Sequence, residues 1–192
     1  MKAYYDARAP EYDDWYYGAG GFAERDRPGW EEELAALEAA LRSLPPARTL
    51  DVACGTGYLT RWLRGEVVGL DQSAAMLAEA RQRVPGAELV QADALDGLPF
   101  ADGAFERLFT GHFYGHLEPE ARERLLAEAR RVAGELVVVD SAGSGEEVQE
   151  RVLEDGTRWE VYKRWFGPDD LLDELGGGRT LHHGRWFVAV AS

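Results

Sequence analysis

Three aspartates close short apolar runs, and two histidines share a loop further along the chain. Asp51 ends Thr49-Leu50, Asp71 ends Glu66 to Leu70, and Asp93 ends Glu88 to Ala92. A carboxylate at a strand tip accepts two hydrogen bonds from a vicinal diol, as an acid does for the ribose of a dinucleotide. Asp51 also opens Asp-Val-Ala-Cys-Gly-Thr-Gly (51–57), a bend made of small residues. Glycines there let backbone N–H groups approach a ligand at φ values other residues resist. The loop Thr110 to Leu117, Thr-Gly-His-Phe-Tyr-Gly-His-Leu, offers His112 and His116 as catalytic candidates. Their spacing of four would place both on one face of a helix, which raises a metal site, but no third ligand stands nearby.

The aspartates recur at intervals of about twenty residues, the period of βαβ units in a parallel, doubly wound sheet. In such a sheet ligands bind beyond the carboxyl ends of the strands. The bend is not a dinucleotide loop, because no third glycine follows Gly57, and no Gly-Lys-Ser/Thr serves a triphosphate. An NAD(P) enzyme is therefore disfavoured.

Asp-Val-Ala-Cys-Gly-Thr-Gly resembles the first motif of the class I S-adenosylmethionine-dependent methyltransferases, with Ala53 where many members carry glycine. Ala92-Asp93-Ala94 and Leu98 to Phe105 (Leu-Pro-Phe-Ala-Asp-Gly-Ala-Phe) are similar to later segments of that family. Tyr5, Asp6, Ala9, Tyr12 and Asp13 match the opening that, in its small-molecule members, forms a mobile cap. The resemblance implies a Rossmann-like α/β fold: a doubly wound, mostly parallel seven-stranded sheet, helices on both faces, last strand antiparallel. It implies one domain over 1–192, with 1–46 as cap and helix. It also implies S-adenosylmethionine as cofactor, S-adenosylhomocysteine as product, and Asp71 on the ribose, Asp93 on the adenine amino group and Met76 beside the adenine. Tyr12, Asp51, Ala53, Gly55, Gly57, Gln72, Ala94 and Thr110 complete the implied cofactor set. Methyl transfer to a small molecule follows, with His112 or His116 as base and Tyr5 as an orienting hydroxyl. The alternatives are a cofactor-binding protein without chemistry, or another transferase such as an aminopropyl transferase.

Composition narrows the partners. The 192 residues carry a formal net charge of −14. Nucleic-acid binding draws on dense Lys and Arg against phosphates, whereas the arginines of 118–132 are interleaved with glutamates. Neither nucleic acid nor an anionic membrane is expected. No apolar run approaches the ~20 residues of a membrane helix. One cysteine, Cys54, allows no internal disulfide, and a start without an apolar secretory core fits a cytoplasmic protein.

The elements that must hold these residues read in order. Tyr4 to Gly18 is aromatic, suited to a lid or to fastening an N-terminal helix, and Gly18 to Gly21 breaks it. Helices are expected over Pro28 to Leu44, from Tyr58 to Leu63, over Ala74 to Val84 and over Glu118 to Val132. Strands are expected at Phe105 to Thr110 and Glu135 to Asp140. A polar connector at 141–147, an extended Arg158 to Phe166, a short helix at Pro168 to Leu175 and a closing hairpin from Thr180 complete the chain. Trp159, Tyr162, Trp165 and Phe166 either border a substrate pocket or pack on the sheet. Oligomeric state is not legible.

Overall fold

A computed structural model describes residues 2–192. Seven strands form one sheet in the order β3-β2-β1-β4-β5-β9-β8. They are β1 (Thr49–Val52), β2 (Val67–Asp71), β3 (Glu88–Gln91), β4 (Phe105–Gly111), β5 (Ala133–Ser141), β8 (Arg179–His183) and β9 (Phe187–Ala191). The first five pair in parallel, whereas β9 runs antiparallel to both β5 and β8. All of β1 and β9 is buried, and β9, Phe-Val-Ala-Val-Ala, reads as a continuous apolar run rather than an alternating one. Neighbouring residues face opposite layers. Leu108 joins Leu50, Leu125 and Val138 on one side, while Phe109 joins Leu37, Leu41 and Val137 on the other.

Helices α3 (Trp30–Ser43), α4 (Ala74–Arg83), α5 (Pro119–Val132) and α6 (Pro168–Leu175) lie within a few residues of the expected spans. Trp30, Leu37 and Leu41 form the buried stripe of α3, Leu44 is buried just past its end, and Leu34 packs at its edge. Ser73 caps α4, its side chain accepting from the Met76 N–H at 3.1 Å.

Two expectations fail. The helix expected from Tyr58 shrinks to one 3-10 turn, Thr60–Trp62. The chain must return to β2 by Val67, and Gly65 turns it against Ala47, where a Cβ would lie 2.3 Å from the carbonyl oxygen. The connector at 141–147 also contains the start of a strand. β6 (Glu146–Val152) pairs with β7 (Arg158–Arg164) as a separate antiparallel hairpin. Its exposed, charge-rich face lacks the apolar alternation that would have betrayed it.

The aromatic opening folds as α1 (Lys2–Arg8), a turn at Ala9–Glu11, and α2 (Asp14–Tyr17), closed by Gly18 at φ 66°. Among the described residues no helix is long and apolar enough to cross a membrane.

Candidate functional site

β1 and β4 are sheet neighbours although β2 and β3 intervene in sequence, so the winding direction reverses between them. That switch point is where a doubly wound sheet opens a crevice, and the bend after β1 sits there. Its backbone alternates into the left-handed region at Ala53 (φ 58°), Gly55 (φ 55°) and Gly57 (φ 77°). Gly55 N–H donates to Asp71 Oδ2 at 2.9 Å, tying the bend to the tip of β2. A Cβ on Gly57 would meet Val84 at 3.2 Å, so this glycine lets the bend lie against the end of α4.

The crevice is bordered by Ala53 and Gly55 from the bend, and by Asp71, Gln72 and Met76 from β2 and α4. Asp93 and Ala94 close it beyond β3, His112 beyond β4, and Tyr5 and Tyr12 from the cap. Asp71 is buried, and each of its oxygens takes one backbone N–H, from Gly55 and from Ser73 at 2.8 Å. A carboxylate oxygen accepts twice, leaving one lone pair on each for a diol. Burial raises the Asp71 carboxyl above its usual range, against those backbone donors. The enclosed space is about 30 Å³. A nucleoside needs far more than this enclosed space.

Three residues expected in this set stand apart. Gly57 packs on α4, and Thr110 donates its hydroxyl to the Val52 carbonyl at 2.9 Å, joining β4 to β1. Asp51 borders an adjoining void of about 20 Å³ that shares Tyr12, Ala53 and Gly111 with the crevice. One Asp51 oxygen accepts from Thr60 Oγ1 at 2.6 Å, while the other is buried without a partner. Burial drives this carboxyl up to about 8, with Thr60 opposing and Asp71 adding. An orphaned carboxylate oxygen beside a small void is chemically suited to an ammonium.

The cap is pinned to the same elements. Thr56 Oγ1 donates to Asp13 Oδ1 at 2.7 Å, Arg83 pairs with Asp13 at 2.5 Å, and Ser73 Oγ donates to Asp6 at 2.6 Å.

Through Tyr5, Tyr12 and His112 the crevice borders a cleft of about 910 Å³, enough for a small organic molecule. The cap and Trp15 wall one side and the β6–β7 hairpin the other, with Trp165 at its edge. Phe166 instead lies fully buried in the core and Trp159 packs on Tyr4. Tyr162 Oη donates to Glu146 at 2.6 Å.

His112 and His116 do not share a helix face. His112 holds φ 57°, a conformation that costs a non-glycine residue about 1–3 kcal/mol. This turn sends its ring against Trp15, centroids 4.7 Å apart, and leaves Nε2 buried without a partner. Burial lowers its pKa to about 4, Asp140 and Lys163 pulling in opposite directions. His116 Nδ1 lies 2.7 Å from the Tyr162 carbonyl. A carbonyl only accepts, so Nδ1 carries the proton and Nε2 keeps its lone pair. Burial, followed by Lys163, lowers His116 to about 3. Both rings are neutral near pH 7.

Sequence reading missed the charges behind these rings. Lys163 of β7 meets Asp140 of β5 at 2.5 Å, both buried. Asp140 also accepts from the N–H groups of Gly115 and Ser141, each at 2.7 Å, fixing the histidine loop. Burial opposes ionisation of Asp140, but Lys163 and the two histidines carry its carboxyl below the usual range. One of only two lysines in the chain, on a charged stretch, gave no sign that it would be buried.

Residues 49–135 match the family described as a methyltransferase domain. That stretch runs from β1 into β5 and holds the bend and all three strand-tip aspartates. A trans-aconitate 2-methyltransferase of Acidovorax ebreus is 40% identical over 82 residues, 40% of this chain and 30% of that protein. A demethylmenaquinone methyltransferase of Thermotoga maritima is 33% identical over 119 residues, 58% of this chain and 49% of that protein. The chain thus spans less than half the length of either relative. Among solved structures, a DhpI-SAH complex superposes with a TM-score of 0.76 at 28% identity, covering 98% of this chain and 92% of that one. The sheet order and the antiparallel β9 are those of this methyltransferase fold.

Proposed function

We propose that the protein transfers a methyl group from S-adenosylmethionine to a small molecule seated in the larger cleft. One observation carries the reading: residues from the cap, the bend, β2, α4 and the ends of β3 and β4 meet in one crevice that adjoins the cleft at His112. The cofactor supplies an electrophilic methyl on a sulfonium and leaves as S-adenosylhomocysteine. Asp71 would hold the ribose diol, Asp93 the adenine amino group, and Asp51 with the bend the amino-acid end. Met76, almost fully buried, offers a soft wall to the adenine.

The chain's own task is to orient the acceptor and to exclude water, and orientation of this kind is worth about 7–11 kcal/mol. Tyr5 and Tyr12 cover the junction between crevice and cleft. For an acceptor that must lose a proton, His112 takes it at Nε2, which is buried without a partner, or His116 takes it at its own Nε2. Such a base contributes ~10²–10⁴-fold.

Calorimetry with S-adenosylhomocysteine tests the cofactor half without knowing the acceptor. Asp71→Ala should weaken binding by ~1.5–3 kcal/mol, the worth of a charge-assisted hydrogen bond. Unchanged affinity removes Asp71 from the site, and no binding by the wild-type protein ends the reading. Methylation of components of a metabolite extract separates an enzyme from a protein that merely holds the cofactor.

A further inference from the structure

The cleft is rich in cations, on a chain whose formal charge is −14. Arg8, Arg25, Arg27, Arg151, Lys163 and Arg185 border it. Four carboxylates also border it: Glu11 accepts from the Glu154 N–H, Glu147 from Gln149, Glu150 pairs with Arg158, and Asp26 lies between Arg25 and Arg27 in the chain. Lys163 is neutralised by Asp140. Among the described residues no carboxylate pairs with Arg8, Arg25 or Arg151.

Arg8 is the sharpest case. It is buried, its Nε has no partner, and its Nη1 donates to the Tyr4 hydroxyl. The guanidinium lies over the faces of Tyr12 and Tyr4, 5.3 and 5.7 Å from the centroids. Arg151 approaches from β6 on the other wall, and among the described residues its guanidinium donates to Gln149 Oε1 alone. Burial, and after it the positive charges of Arg8 and Arg25, hold Arg151 below its ordinary pKa. Like charges gathered in a half-buried place cost stability unless an anion joins them.

We propose that the methyl acceptor is a small organic anion whose carboxylate or phosphoryl oxygens are held by Arg8 and Arg151. The proposal rests on the methyl-transfer reading and sharpens it. Guanidinium forks match such oxyanions in paired hydrogen bonds, which a lone ammonium cannot do. Tyr12 lines both the crevice and the cleft, so the anion held over its ring is next to the cofactor site. An oxyanion acceptor is already the nucleophile. Its oxygen forms the bond to the methyl carbon as the carbon–sulfur pair passes to sulfur. A charged oxygen and a sulfonium become an ester and a neutral thioether, and no proton moves. Two histidines that stay neutral suit this chemistry, as positioning groups. The same arginines oppose a polyamine, and with it aminopropyl transfer.

The test uses the full chain saturated with S-adenosylhomocysteine, titrated with citrate, phenylphosphonate, the neutral benzamide and spermidine. Binding of either anion, at least tenfold weaker in Arg151→Gln and in Arg8→Gln with S-adenosylhomocysteine affinity unchanged, is the expected result. Arg8→Lys keeps the charge but loses the fork, and should recover part of the loss if Arg8 grips the anion. Anion affinity untouched by both glutamine variants overturns the proposal, as does preference for benzamide or spermidine, or no anion binding at all. Failure to bind S-adenosylhomocysteine would instead condemn the underlying reading. With labelled methyl donor and a metabolite extract, product label released by alkali as methanol marks a carboxylate acceptor. Alkali-stable label on a phosphorus-containing product marks a phosphoryl one.

Discussion

Asp51 makes the cofactor assignment accessible without an acceptor. Its side chain is almost fully buried, one oxygen held by Thr60 and the other unpartnered. With its carboxyl raised to about 8 by burial, the free protein at pH 7 holds it protonated roughly ten to one, since one pH unit is a factor of ten. Pairing with the ammonium of S-adenosylhomocysteine requires the carboxylate. Binding at pH 7 must therefore expel close to one proton, and affinity should rise about tenfold between pH 6 and 7. The stability of the free protein runs the other way. Because the folded carboxyl lies above its unfolded value of 3.8, the native state binds more protons than the unfolded chain between pH ~4 and ~8, and stability falls as pH rises through that window. Calorimetry in phosphate and in Tris, whose ionisation heats differ, counts the protons directly. Asp51→Asn should abolish the proton release and weaken binding by ~1.5–3 kcal/mol, while removing the fall in stability toward pH 8. Binding that is flat with pH and expels no proton would refute the assignment.

Other expectations follow from single positions. His112→Ala should preserve S-adenosylhomocysteine affinity and lower turnover, by ~10²–10⁴-fold for an acceptor that needs a base and by much less for an oxyanion. Wild-type turnover should show no histidine limb near pH 6–7, because His112 titrates at about 4. Gly115→Ala would put a Cβ 2.6 Å from the Arg164 carbonyl and 2.9 Å from Lys163 Nζ. Overpacking of that kind costs ~1–3 kcal/mol, measurable by urea denaturation. Ala53→Gly relieves a left-handed alanine and should raise stability by ~0.5–1 kcal/mol, which a melting curve would register as a small upward shift.

What the sequence disclosed divides along a physical line. Asp51, Asp71 and Asp93 announced themselves because strand tips recur with the βαβ period, and periodicity survives without knowing any contact. A parallel, doubly wound sheet followed from the same rhythm, whereas its antiparallel last strand was implied by the resemblance to the methyltransferases. Ala53 stands where many of the methyltransferases that the chain resembles carry glycine, and its positive φ makes it a strained residue there, a backbone property that residue type does not carry. The helix after the bend failed because the return to β2 is too short to continue it. The deepest omission is the acceptor side. Arg8 and Arg151 are 143 positions apart, on the cap and on a hairpin whose polar strand gives no periodic signal. Nothing local marks either arginine as lacking a counter-charge, since that depends on where every carboxylate ends up. Net charge gave no hint of it either: on a chain of −14, arginines without a paired carboxylate gather on one cleft. Cofactor sites built on strand tips are readable in one dimension. An acceptor site assembled between a cap and a hairpin becomes readable once the chain has folded.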